Sequence, residues 1–169
     1  ASTPSHLGIF KMPKYNIQTL SQLKTLVILD GIQIPHNVGA IIRNCSAFGI
    51  DGVICLPETA DPYHPESIRG MAGHVMQCPL YFCTLNNLKS LNHFHYYFLD
   101  EKATSSLNET PFSQHSAFIF GSEGTGISDH LKNEIIKSTA ISIPMSEKIN
   151  SLNVAVSAGI TLYAFKFSS

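Results

Sequence analysis

Three short polar stretches carry residue types able to do chemistry: Ile34-Pro-His-Asn37-Val-Gly-Ala-Ile-Ile-Arg43, Gly121-Ser-Glu123-Gly-Thr-Gly126 and Ser151-Leu152-Asn153. In the first, Arg43 stands amid Ala40, Ile41, Ile42, Cys45 and Ala47 and has few polar neighbours in sequence. A guanidinium in that setting points to an anion partner such as phosphate or carboxylate. In the second, three glycines permit positive φ values and close backbone approach to a ligand, and Glu123 can pair with an arginine or a ligand hydroxyl. The stretch has neither the dinucleotide glycine pattern nor a phosphate-holding lysine. In the third, Ser151 and Asn153 open an apolar helix whose free N–H groups can hold a ligand. Each stretch also has a plain alternative: a cap at Asn37 with a solvated arginine, a strand-to-helix turn, and an N-cap at Ser151 or Asn153.

The elements that must position these groups follow from hydrophobic patterning. Leu26 to Asp30 and Gly52 to Leu56 are short continuous apolar runs, as expected for strands covered on both faces of a parallel sheet. Between them Asn37 is expected to cap a helix in which Val38, Ile41, Ile42, Cys45 and Phe48 recur at helical spacing, ended by Gly49. Asn37 and Arg43 are then about 240° apart around that helix. A short helix is expected over residues 66–71, and strands over 80–83, 93–99, 117–120 and 139–143. A helix is expected over 128–137, and a last helix, apolar nearly all round, over 152–165. Residues 1–22 read as an arm or linker and 23–169 as one folded unit. The class is α/β, a mostly parallel sheet flanked by helices. All three polar stretches follow strands whose C-terminal ends share one edge, so Asn37, Arg43, Glu123, Ser151 and Asn153 are expected to converge.

Composition narrows the function classes. At 169 residues, 44% hydrophobic and 14% charged, the chain suits one domain with a full core and excludes disorder. No apolar run approaches a membrane span and no secretory signal is visible, so a cytoplasmic protein without a membrane partner is expected. Cys45, Cys55, Cys78 and Cys83 form no C-x-x-C pair and are expected as buried thiols. His93 and His95 are expected to share a strand face, but a third ligand is not evident and no metal is expected. A net charge of −1 means that a nucleic-acid partner would need a local basic patch, a second subunit or another domain.

With these motifs in order, Pro35-His-Asn37-Val-Gly-Ala-Ile-Ile-Arg43, then Gly121-Ser-Glu123-Gly-Thr-Gly126, then Ile143-Pro-Met145 and Ser151-Leu-Asn153-Val154, the chain resembles the SpoU family of RNA 2′-O-ribose methyltransferases within the SPOUT class. The resemblance implies a C-terminal trefoil knot, S-adenosylmethionine as cofactor, ribosomal or transfer RNA as substrate, and a homodimer. It implies cofactor contacts from Gly121, Ile143, Met145 and Leu152, and a catalytic site shaped by Asn37, Arg43, Glu123, Ser151 and Asn153, with the arginine near the dimer interface. Two departures stand out: Glu147 occupies a cofactor-loop position where the family usually has glycine, and the middle region reads Arg69-Gly-Met-Ala-Gly-His74. The segment before the folded unit looks like the tail of an N-terminal RNA-binding domain. Glu147 motivates a rival reading, an RNA-binding or assembly module of the same fold with little catalysis. A nicotinamide-dependent oxidoreductase rests only on the α/β alternation.

Overall fold

The protein's structure is a computed structural model that describes residues 8, 9, 11–135, 137–146, 148, 149 and 151–168. Seven strands form one sheet: β1 (Thr25–Asp30), β2 (Gly52–Cys55), β3 (Leu80–Phe82), β4 (His95–Leu99), β5 (Ser105–Ser106), β6 (Ser116–Gly121) and β7 (Ser138–Ser142). Their spatial order is β3-β2-β1-β6-β4-β7-β5, and every neighbouring pair is parallel. The helices are α1 (Pro35–Phe48), α2 (Pro65–Met71), α3 (Leu85–Leu88), α4 (Asp129–Glu134) and α5 (Val154–Phe167).

Strand alternation divides the apolar residues between two cores. Val27, Leu29, Val53, Phe118 and Phe120 face one side, where Val38, Ile41 and Ile42 of α1 and Ala158 and Leu162 of α5 cover them. Leu26, Ile28, Ile54, Ala117 and Ile119 face the other, against Leu88, Leu91 and Leu131. Burial on both faces explains why these strands read as unbroken apolar runs. Residues Ile17–Gln22 form a short 3-10 helix, capped by the Asn16 side chain, and its Leu20 is buried in the second core.

Several expected elements shift. Asn37 does not cap α1: the helix begins at Pro35 after Ile34, which makes no side-chain cap, so Asn37 is the third helical residue. Proline at the first position loses nothing, because its missing N–H would have no intrahelical partner there. β4 starts at His95, so His93 does not share a strand face with it. Instead the His93 ring lies edge-on to His115, with centroids 5.4 Å apart, while His95 Nε2 meets Thr139 Oγ1 at 2.7 Å. α4 is shorter than patterning suggested because Ile135 is already extended. β5 and α3 carry no periodic apolar signal and were not foreseen; two residues or one turn are too short to show one.

All four cysteines are buried and free. Burial pushes the thiols of Cys55 and Cys78 up to about 12 and that of Cys83 to about 11, and raises Cys45 as well. The thiolate is the reactive form, so these groups are held inert. Ellman's reagent is expected to label none of them promptly in the native protein and all of them after guanidinium unfolding. A fast native phase would contradict this.

Candidate active site

The sheet's C-terminal edge brings together residues far apart in sequence. β1 ends at Asp30 and leads through residues 31–34 into α1, where Asn37 is only 5% exposed. A polar side chain so buried requires partners. Its Nδ2 donates to Glu123 Oε1 at 2.5 Å, and its Oδ1 accepts from Asn153 Nδ2 at 3.1 Å. Asn153 Nδ2 also donates to Glu123 Oε1 at 3.2 Å. The two amides and the carboxylate therefore close a ring across α1, the loop after β6 and the start of α5. Asn153 serves two purposes, because its Oδ1 accepts from the N–H groups of Ala155 and Val156 and so caps α5. Capping and site-building were alternatives in the sequence; the amide does one with its oxygen and the other with its nitrogen.

The loop after β6 is fixed from both ends. Ser122 and Gly126 exchange backbone hydrogen bonds at 3.0 and 2.8 Å, which closes the loop on itself. Asp30, nearly buried at the end of β1, accepts the Ser128 N–H at 2.7 Å. Sequence reasoning missed Asp30 as a positioning residue; the available signal was a charged side chain ending an otherwise apolar strand.

Of the residues expected to converge, Asn37, Glu123 and Asn153 do so directly. Arg43 does not join them. It is exposed on another face of α1, and among the described residues it makes no hydrogen bond or ion pair. Glu123 accordingly takes two asparagine amides where an arginine was one expected partner. Ser151 lies on the neighbouring cavity described next.

That cavity, about 120 Å³, sits at the C-terminal ends of β4 and β7. Ile143, Met145, Ser151 and Leu152 line it together with Asp100 and Glu101, the two carboxylates that follow β4. Gly121 is not among its lining residues; its Cβ position is filled by the backbone of Gly126, 2.3 Å away. Asp100 and Glu101 were not foreseen, because nothing in local sequence marks a strand end as part of a cavity built 40 residues later. Glu147 lies outside the described residues. Among the described residues no group of three His, Cys, Asp or Glu side chains gathers as a metal site, and no helix is long and apolar enough to cross a membrane.

Comparison with known proteins adds an independent line. Residues 24–163 match the model of the SpoU rRNA Methylase family. An uncharacterized tRNA/rRNA methyltransferase of Synechocystis is 32% identical over 143 residues, covering 81% of this chain and 51% of that protein. The 23S rRNA (guanosine-2′-O-)-methyltransferase RlmB of Acinetobacter baylyi is 32% identical over 182 aligned positions, covering 96% and 71%. The chain thus spans about half the length of the first relative and more of the second. Among solved structures, the SpoU methyltransferase AviRb of Streptomyces viridochromogenes in complex with AdoMet superposes with a TM-score of 0.82 at 24% identity, covering 94% of this chain and 63% of that one. An AdoMet-bound rRNA methyltransferase from Sinorhizobium meliloti gives 0.81 at 25% identity, covering 92% and 61%.

Proposed function

Because the chain belongs to the SpoU rRNA Methylase family, we propose that it transfers a methyl group from S-adenosylmethionine to a ribose 2′-hydroxyl of ribosomal or transfer RNA, acting as a homodimer in the cytoplasm. The observation that carries this reading is the ring of Asn37, Glu123 and Asn153 at the same strand edge as the cavity lined by Ile143, Met145 and Leu152. Catalytic polar groups and a partly apolar cofactor recess lie side by side there.

The residues present fit the cofactor's chemistry. Ile143, Met145 and Leu152 offer apolar surface for an adenine ring, and Asp100 and Glu101 offer acceptors for ribose hydroxyls or an ammonium group. When bound, S-adenosylmethionine supplies a sulfonium-activated methyl carbon, so the protein is left to orient the hydroxyl and manage its proton. Asn37 and Asn153 hold Glu123 in place through Oε1, and Oε2 has no partner among the described residues. That oxygen is free to accept the hydrogen bond of a substrate hydroxyl. Arg43 brings a guanidinium, whose part is to stabilise the developing alkoxide or the adjacent phosphate.

Dimerisation is supported by the outer face of α5. Val156, Ile160, Tyr163 and Phe167 recur at helical spacing and are all exposed, the last two at 59% and 63%. Such a contiguous apolar stripe on a surface helix marks an interaction surface. Arg43 lies on the exposed side of α1, the helix that packs against α5, so the same pairing would bring it to the partner. The knot is supported by strand order: β7 is inserted between β4 and β5 although it follows both in sequence. Residues 23–169 form the catalytic domain in this reading, and Leu20, just before it, packs into the same core.

The test is incubation with methyl-tritiated S-adenosylmethionine and RNA from cells lacking the protein. Label is expected in alkali-resistant dinucleotides, since a 2′-O-methyl group blocks cleavage of the following phosphodiester. Label on bases would refute ribose transfer. Absence of both label and calorimetric cofactor binding would leave the RNA-binding module.

A further inference from the structure

The catalytic crevice has a second recess on its other flank, which methyl transfer as described does not use. A cavity of about 420 Å³ opens at the C-terminal ends of β2 and β3, between the loop after β2 and residues 82–84. In the sheet, β1 and β6, which lead into Asn37 and Glu123, separate this recess from the cofactor cavity at β4 and β7. The recess is tied to the crevice through the backbone. Thr59 Oγ1 donates to Leu29 O at 2.9 Å and accepts the Gly31 N–H at 3.1 Å, and the Ala60 N–H donates to Ile32 O at 2.8 Å. The loop that walls the recess thus hangs on the segment that runs into Asn37.

Its lining has a definite chemistry. Phe82 is 54% exposed at the end of a strand, its ring 6.4 Å from that of Tyr63 at a 33° tilt. Opposite lie Pro57, Glu58 and Asp61, with Glu58 held at a φ of 68°, a conformation that non-glycine residues seldom adopt. Among the described residues no lysine or arginine lines the cavity. Carboxylates without a cation repel phosphate, so the RNA backbone is not the occupant. An exposed aromatic ring beside acceptor-only side chains instead suits a flat group that carries N–H donors on its edge.

Resting on the RNA-methylation reading, we propose that this recess holds a splayed-out nucleobase of the substrate strand, stacked on Phe82, and that Glu58 and Asp61 favour guanine. Guanine presents adjacent N1–H and N2–H donors that a carboxylate accepts together. Uracil flanks its single N–H with two carbonyls that the carboxylates repel. The recess then sets which nucleotide lies next to the methyl donor, on the far side of Asn37 from the cofactor.

The test titrates the isotopically labelled chain with the ribotrinucleotides UpGpU and UpUpU in the presence of S-adenosylmethionine, followed by NMR. UpGpU is expected to shift Phe82, Glu58 and Thr84 and to bind about tenfold more tightly than UpUpU, the scale of a hydrogen bond to a charged group that only guanine makes there. Phe82→Ala should remove most of the UpGpU affinity. Glu58→Gln with Asp61→Asn should keep binding but erase the difference between the two probes; both sites are exposed, so folding is not at stake. Equal binding of the two probes, or UpGpU shifts confined to other surfaces, overturns the proposal. If guanine binds as expected but no RNA is methylated, the methyl-transfer reading falls and the recess stands. If RNA is methylated and Phe82→Ala leaves its KM unchanged, the recess falls and the reading stands.

Discussion

Arg43→Ala is expected to lower methyl transfer by about 10²–10³-fold, the usual cost of removing one group that stabilises developing charge, while the affinity for S-adenosylmethionine stays as it was. The separation follows from position. Arg43 is exposed on α1 and makes no bond within the described residues, so its loss disturbs neither the ring of Asn37, Glu123 and Asn153 nor the cavity lined by Ile143 and Leu152. A guanidinium that does not reach the crevice of its own chain is expected to serve that of a partner. Mixing Arg43→Ala and Glu123→Ala subunits distinguishes the two arrangements. If the arginine acts across the dimer, each mixed dimer regains one intact site and random exchange restores about a quarter of wild-type activity; if it acts within its own chain, every site stays defective. Unchanged methylation by Arg43→Ala alone would remove the residue from the mechanism.

How far the site was legible in the sequence depends on what kind of contact each residue makes. The strands around β1, β2 and β6 announced themselves because a sheet buried on both faces needs unbroken apolar runs, and Thr25–Asp30, Gly52–Cys55 and Ser116–Gly121 supply them. Parallel topology then placed Asn37, Glu123 and Asn153 on one edge, and side-chain hydrogen bonds join them there. What patterning could not give was the division of labour within a side chain. Asn37 looked like a helix cap, yet Pro35 can start the helix without one, which leaves the Asn37 amide for the site. Asn153 looked like a cap or a ligand group; its Oδ1 caps α5 while its Nδ2 bonds to Asn37 and Glu123. Asp30, Asp100 and Glu101 were invisible for a different reason. Their significance lies in what tertiary structure sets beside them, Ser128 in one case and Ile141, Ile143, Met145, Ser151 and Leu152 in the other. Phe82 read as one more apolar residue of a strand; only its exposure at the strand end makes it unusual.

Gly121→Ala is expected to destabilise the protein by about 1–3 kcal/mol or more, the range for forcing a methyl group into filled space, whereas Gly124→Ala, three residues away, should leave stability unchanged. Both glycines belong to the same motif and both look, from sequence, like places where a ligand approaches bare backbone. Their surroundings differ. A Cβ on Gly121 would lie 2.3 Å from the Gly126 carbonyl carbon and 2.4 Å from its oxygen, and these are backbone atoms that no side-chain rotation can move. A Cβ on Gly124 meets nothing within 4 Å, and its φ lies outside the left-handed range. At Gly121 the absent side chain lets the loop close on itself through the Ser122–Gly126 hydrogen bonds, and that closure holds Glu123 against Asn37 and Asn153. The substitution should therefore lower the melting temperature by roughly 2–4 °C for each kcal/mol lost, and reduce turnover through misplacement of Glu123 beyond any change in cofactor affinity. Equal melting temperatures for the two variants would show that Gly121 is glycine because a ligand needs the space and not because Gly126 fills it.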